Sequence, residues 1–140
     1  MNNLNIIERH TGSVTILDLT GKIRMGEDTA KLTKALRVVV ADGEKNILLN
    51  MAGISYIDSS GLGELVAGYN SLQKSGGELK LLHLTDRVSE LMVITKLLTV
   101  FESFDNEAEA VDSFQNSSEN TKIRPSDRVT GKLDRALVNQ

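Results

Sequence analysis

The residues best suited to chemistry lie in one short segment, residues 58–63, which reads Asp-Ser-Ser-Gly-Leu-Gly. Two hydroxyl side chains stand between an acid and a glycine, at the predicted start of a helix. A helix start has free backbone N–H groups and the positive end of the helix dipole, and both stabilise negative charge. Gly61 and Gly63 carry no side chain that would block close approach by another molecule. The segment therefore predicts an accessible serine that tolerates a phosphate, with its charge of about −1.5 to −2.

The same residues are also typical of an ordinary helix start, in which a short polar side chain caps the first turn. Two other motifs do not fit the spacing. A hydrolase elbow requires Gly-x-Ser-x-Gly, but neither Ser59 nor Ser60 has a glycine two places before it. A phosphate-binding loop requires Gly-Lys-Ser or Gly-Lys-Thr, and neither tripeptide occurs. From the residues alone, a modified serine and a structural cap both stay open.

Composition excludes several other kinds of site. The chain of 140 residues has no cysteine, which excludes disulfides, thiolate metal sites and thiol nucleophiles. Its two histidines, His10 and His83, would need carboxylates to complete a metal site, and we expect no metal and no cofactor. No apolar run approaches the roughly 20 residues of a membrane span, and the N-terminus lacks a signal pattern. We therefore expect a cytoplasmic protein without membrane insertion.

Charge is distributed unevenly along the chain. Residues 1–114 carry a net charge of −5 and residues 115–140 a net charge of +2. An acidic body lacks the basic face of a nucleic-acid binder, and five aromatic residues offer no stacking platform for bases. We expect no nucleic-acid partner. Residues 115–140 contain the single proline and no sustained periodicity, so we interpret them as a polar, weakly basic tail that is poorly ordered.

The spacing of apolar residues predicts an α/β domain over residues 1–114, with a mixed sheet of about five strands and four helices in the order β-β-α-β-α-β-α-β-α. Strands alternating with helices imply parallel neighbours, with the opening hairpin at one side of the sheet. The predicted strands cover residues 4–8, 14–19, 46–50, 78–84 and 99–101. The predicted helices begin at Asp28 or Thr29, near Ser60, at Thr85 or Asp86, and at Asn106.

Residues 56–65, Tyr-Ile-Asp-Ser-Ser-Gly-Leu-Gly-Glu-Leu, resemble the signature of STAS domains of the bacterial anti-sigma factor antagonist (anti-anti-sigma factor) type. The resemblance covers about residues 4–114, including Leu-Thr-Gly at 19–21 and Gly-Gly-Glu-Leu at 76–79. It does not cover the tail. The resemblance implies a STAS-like fold.

The resemblance also implies a non-enzymatic phosphoprotein that regulates transcription in bacterial signalling by partner switching. In that family the unphosphorylated antagonist binds an anti-sigma factor, which is a serine kinase, and frees the sigma factor. The kinase phosphorylates the first serine of the motif, here Ser59, and phosphorylation abolishes binding. A metal-dependent serine phosphatase restores the first state. Asp58, Ser60, Gly61 and Gly63 would then belong to the partner-binding surface.

One segment departs from the family pattern. Residues 21–24 read Gly-Lys-Ile-Arg, whereas the better-known antagonists of the family carry Gly-Glu-Leu-Asp there. Lys22 and Arg24 replace acids in a loop expected to face the partner, so we count them as candidate partner-binding residues, with an ordinary surface loop as the alternative. Two further functions stay open. One is a STAS scaffold or accessory subunit of a signalling or lipid-transport ATPase complex, in which Ser59 is never modified. The other is a small enzyme with Ser59 as nucleophile, for which no nearby base is evident.

Overall fold

The computed structural model describes residues 3–114. The predicted tail, residues 115–140, lies outside the described residues. Of the described residues, 3–110 belong to one unit and 111–114 to a second. The sheet and the helices that connect its strands all belong to the first unit.

Five strands form one mixed sheet in the order β1-β2-β3-β4-β5. They are β1 (Asn5–Thr11), β2 (Val14–Ile23), β3 (Asn46–Ile57), β4 (Glu78–Leu82) and β5 (Ser103–Phe104). β1 and β2 pair antiparallel as a hairpin, and each later neighbour pairs parallel. Gly12, at the hairpin turn, has a φ of 60°, which suits glycine because it has no Cβ. The predicted mixed sheet and element order are confirmed.

Three helices connect the parallel strands: α1 (Glu27–Ala41), α2 (Ser59–Lys74) and α3 (Asp86–Ile94). Residues 107–114 form a fourth helical stretch, whose first turn is capped by the Asn106 side chain accepting from Glu109 N at 2.9 Å. Each connecting helix buries one apolar stripe, because its apolar residues recur at helical spacing. The stripes join the inward side chains of the sheet in one core, which includes Leu36 of α1, Leu65 of α2, Met92 of α3 and Leu49 of β3.

Several predicted strand boundaries are wrong. The spacing of apolar residues predicts that β2 and β3 end near residues 19 and 50, but they continue to Ile23 and Ile57. Register shifts between Asp18 and Thr20 and between Gly21 and Lys22 interrupt the simple alternation of side chains, which hides the strand ends in the sequence. β1 also continues, to Thr11, whereas β4 stops at Leu82 because the next residue takes a left-handed φ of 57°.

The last strand and the start of α1 also differ from expectation. Residues 99–101 follow α3 as a turn, and the strand that joins β4 is Ser103–Phe104. Asp28 does not cap α1. Gly26 holds the N-cap position, and Asp28 is buried, with its carboxylate accepting hydrogen bonds from the backbone N–H groups of Leu4 and Arg24. The acid therefore ties the chain before β1 to the loop before α1.

Candidate functional site

Ser59 is the first residue of α2 and is exposed. Within the described part of the chain its hydroxyl makes no hydrogen bond. Ser59 lines a depression of about 470 Å³, which is formed by the end of β3, the start of α2 and one face of α3. An added group on this oxygen therefore meets solvent and breaks no internal contact.

Asp58 fixes the start of α2 to the neighbouring loop. Its backbone is extended, and its Oδ1 accepts from Gly61 N at 2.9 Å, as an N-cap does. Its Oδ2 accepts from Met25 N at 3.0 Å, in the loop between β2 and α1. The N–H groups of Met25 and Gly61 hold the pKa of the Asp58 carboxyl below its ordinary value. Asp58 is thus an ionised structural anchor with both oxygens engaged, which makes it a poor general base for Ser59.

The two glycines of the segment have different surroundings. Gly61 is buried, and a Cβ there would lie 2.6 Å from Ile23 O and 2.6 Å from Ile57 Cγ1. Gly63 is exposed, with nothing within 4 Å of a Cβ. The expectation that Gly61 offers open space to another molecule is wrong, because α2 packs on β2 at this residue. Ser60 is half-buried beside it.

Lys22 and Arg24 lie near the same end of the sheet. Lys22 is a half-buried strand residue that pairs with Tyr56 in the ladder between β2 and β3, so its placement in a loop is wrong. Arg24 follows β2 and donates from Nε to Asp28 Oδ2 at 3.0 Å. The Arg24 charge is therefore partly balanced inside the domain.

Sequence reasoning missed the α3 side of the depression. Arg87, Glu90, Leu91 and Ile94 all line it, and the Arg87 Cζ lies 5.3 Å from the centre of the Tyr56 ring. Their spacing of three and four residues places them on one helix face, a signal that the sequence contains. Ile94 is 75% exposed, so this face of α3 presents a large apolar side chain to solvent beside a polar site.

The histidines lie elsewhere. His10, on β1, contacts Glu8 Oε2 at 2.9 Å through Nε2, and neither histidine lines the depression beside Ser59. Among residues 3–114, no group of His, Asp and Glu side chains is arranged to hold a metal ion. None of the helices in this part of the chain has the length and apolar character needed to cross a membrane.

Comparison with protein-family models identifies the family of the chain. The model of the STAS domain family matches residues 5–110. An anti-sigma-B factor antagonist of Staphylococcus aureus is 36% identical over 67 residues, which are 48% of this chain and 62% of that protein. The chain thus aligns with less than two thirds of this relative's length.

Solved structures show the same fold at low identity. An anti-sigma factor antagonist from Mycobacterium paratuberculosis has a TM-score of 0.70 and 20% identity, over 81% of this chain and 96% of that one. The Bacillus cell fate determinant SpoIIAA in its phosphorylated form has a TM-score of 0.62 and 19% identity, over 78% of this chain and 98% of that one.

Proposed function

The chain belongs to the STAS domain family, and we propose that it is an anti-sigma factor antagonist that acts by partner switching in the bacterial cytoplasm. In this proposal the unphosphorylated form binds an anti-sigma factor that is also a serine kinase, and so frees a sigma factor. Phosphorylation of Ser59 abolishes binding, and a metal-dependent serine phosphatase reverses it. The names of the Staphylococcus aureus and Mycobacterium paratuberculosis proteins support this role.

The single observation that carries the proposal is the environment of the Ser59 hydroxyl. It is exposed at the start of α2 and makes no hydrogen bond in the described part of the chain, so a kinase can reach it. The first turn of a helix also favours added negative charge. That SpoIIAA has been solved in a phosphorylated form supports the same chemistry in a protein of this fold.

Apolar side chains near Ser59 support a protein partner. Met25 and Ile94 are each 75% exposed. Met25 is held next to the site by Asp58, and Ile94 lines the depression beside Ser59. Full burial of such a side chain contributes about 1.5–3 kcal/mol. We propose that both are covered when the partner binds, together with Ser60, Gly63 and Lys22.

A phosphate at Ser59 then acts through charge. Bringing a group of about −1.5 to −2 charges into a contact surface imposes desolvation and repulsion from nearby acids. Asp58 and Glu90 of this chain line the same depression, and a partner that covers it would exclude the water that screens the phosphate from these carboxylates. We expect phosphorylation to weaken binding of the anti-sigma factor by about 100-fold, the size of effect that a few kcal/mol produces.

The test uses the purified chain, its cognate anti-sigma factor and ATP. We expect a mass gain of one phosphoryl group that maps to Ser59 and that Ser59→Ala abolishes. Ser71→Ala is the matched control, because it removes another exposed hydroxyl of α2 that lines a different groove and keeps the acceptor. Calorimetric titration of the anti-sigma factor then compares the unmodified chain with the phosphorylated one.

Three results would contradict the proposal. Absence of phosphorylation, with binding that Ser59→Asp leaves unchanged, would favour the scaffold or accessory-subunit function. Phosphorylation at Ser59 without loss of affinity would contradict the switch itself. Covalent labelling of Ser59 by a serine-reactive phosphonate would favour the hypothesis of a small enzyme that uses Ser59 as its nucleophile.

A further inference from the structure

Arg87 is the only cationic residue, among residues 3–114, that lines the depression beside Ser59. The other charged lining residues are the carboxylates Asp58 and Glu90. Arg87 lies on the first turn of α3 and is exposed, with its guanidinium 5.3 Å from the centre of the Tyr56 ring. No ion pair to a carboxylate of the described residues holds it there. Its N–H donors are therefore available for another partner.

A phosphate on Ser59 changes the charge balance of this depression. Before modification it holds two carboxylates against one guanidinium. The phosphate adds about −1.5 to −2 charges and three acceptor oxygens. Repulsion from Asp58 and Glu90 would then favour either protonation of the phosphate or its movement away from the protein. A guanidinium within the same depression allows the phosphate to stay there without a proton, because its positive charge offsets the repulsion and its planar fork of N–H donors fits phosphate oxygens.

We propose that Arg87 is the intramolecular ligand of the phosphate at Ser59. This inference rests on the proposed function only in taking Ser59 as the modified residue. Once the phosphate is present, the Arg87 guanidinium turns from the ring of Tyr56 to the phosphate oxygens. An exposed contact between a guanidinium and a ring is weak, and charge-assisted hydrogen bonds to a phosphate outweigh it. The phosphate is then held in the depression in its dianionic form.

The experiment uses the full chain with phosphoserine incorporated at position 59 during translation, so that no kinase is involved. The ³¹P resonance is followed as the pH is raised through the second ionisation of the phosphate. The pKa of this step is about 6 in an unperturbed phosphoserine. We expect the pKa of the phosphate to be about half a unit lower in the parent chain than in Arg87→Gln, the size expected for one partly exposed charge pair. Arg87→Lys keeps the positive charge without the planar fork, and the pKa of its phosphate should lie between the values of the parent and of Arg87→Gln.

The matched control is Arg37→Gln. Arg37 is exposed on α1 and lines a different groove, so its loss removes the same charge at another place. We expect the pKa of the phosphate in this variant to equal that of the parent. A second readout is the NMR signal of the Tyr56 ring, which should shift more on phosphorylation in the parent, where the guanidinium leaves the ring, than in Arg87→Gln.

Equal phosphate pKa values in the parent and in Arg87→Gln would overturn the inference. Equal shifts in Arg87→Gln and Arg37→Gln would also overturn it, because they would reflect overall charge alone. Either failure leaves the proposed function standing, since that function is tested by phosphorylation with ATP and by partner affinity. Conversely, a chain that no kinase modifies would still show the effect of Arg87 on an installed phosphate.

Discussion

Replacing Gly61 by alanine tests the packing that positions Ser59. A Cβ at this residue would lie 2.6 Å from Ile23 O, 2.6 Å from Ile57 Cγ1 and 2.9 Å from Ile23 Cγ2. Ile23 and Ile57 are buried in the core, and a backbone oxygen has no rotamer that moves it away. The start of α2 must therefore shift from β2. Overpacking of this kind costs about 1–3 kcal/mol, and the higher helix propensity of alanine offsets about 1 kcal/mol, so we expect a net loss of up to about 2 kcal/mol.

Gly63→Ala is the matched control for this prediction. It adds the same methyl group two residues later in the same helix, where nothing lies within 4 Å. We expect it to stabilise the domain by about 0.5–1 kcal/mol, because alanine restricts the unfolded chain and favours helix. Urea denaturation of the two variants should show midpoints on opposite sides of the parent. If Gly61→Ala is as stable as Gly63→Ala, α2 does not pack on β2 in the way that the structure has it.

Two further predictions concern charged groups. Asp58→Asn leaves one acceptor oxygen for the N–H groups of Gly61 and Met25, and we expect a loss of about 1–2 kcal/mol at neutral pH by urea denaturation. Folding lowers the pKa of Asp58 from 3.8, so its contribution to stability is present above that value and is lost as pH falls through the folded pKa. The free energies of unfolding of parent and variant should therefore converge in acid. A difference that stays constant with pH would contradict the role of Asp58 as an anchor. Arg9→Gln removes the ion pairs to Asp18 at 2.6 Å and to Glu107 at 2.7 Å, and since these groups are partly exposed we expect a loss of only about 0.5–1 kcal/mol at neutral pH. Thermal melts should show that added salt reduces this loss of stability. Acid should abolish it, because Arg9 lowers the pKa of both carboxyls. A loss that neither salt nor acid changes would show that Arg9 stabilises the domain through packing.

The features that could be predicted from sequence are those that a local pattern contains. Three such features depend only on residues within a few turns of one another: the apolar stripe of α2, the cap of α3 by Thr85 and the helix start at Asn106. The hairpin around Gly12 is likewise a matter of neighbouring residues. These elements fix the order of strands and helices, and with it the placement of Ser59 at the start of α2.

The features that could not be predicted depend on residues far apart in the chain. Gly53 interrupts an apolar pattern, yet it lies within β3, where a Cβ would come 2.5 Å from Thr20 Cγ2 of β2. Asp28 has the type of a helix cap but accepts from Leu4 N, 24 residues away. The apolar pattern predicts Phe101 in the last strand, whereas its ring packs edge-on against Tyr69 at 5.3 Å. In each case a partner on another element decides the outcome.

Because of the same separation of roles, the proposed switch at Ser59 would need no refolding of the domain. The contacts that hold the start of α2 are made by Asp58 and Gly61, which lie on either side of the serines and face the domain. The Ser59 hydroxyl takes no part in them within the described residues. A phosphate added there leaves the cap and the packing of α2 unchanged, and the helix start stabilises its charge. Under the proposed function, the free-energy cost of modification would fall on a partner that covers this surface, and the domain itself would serve as a rigid carrier of the charge.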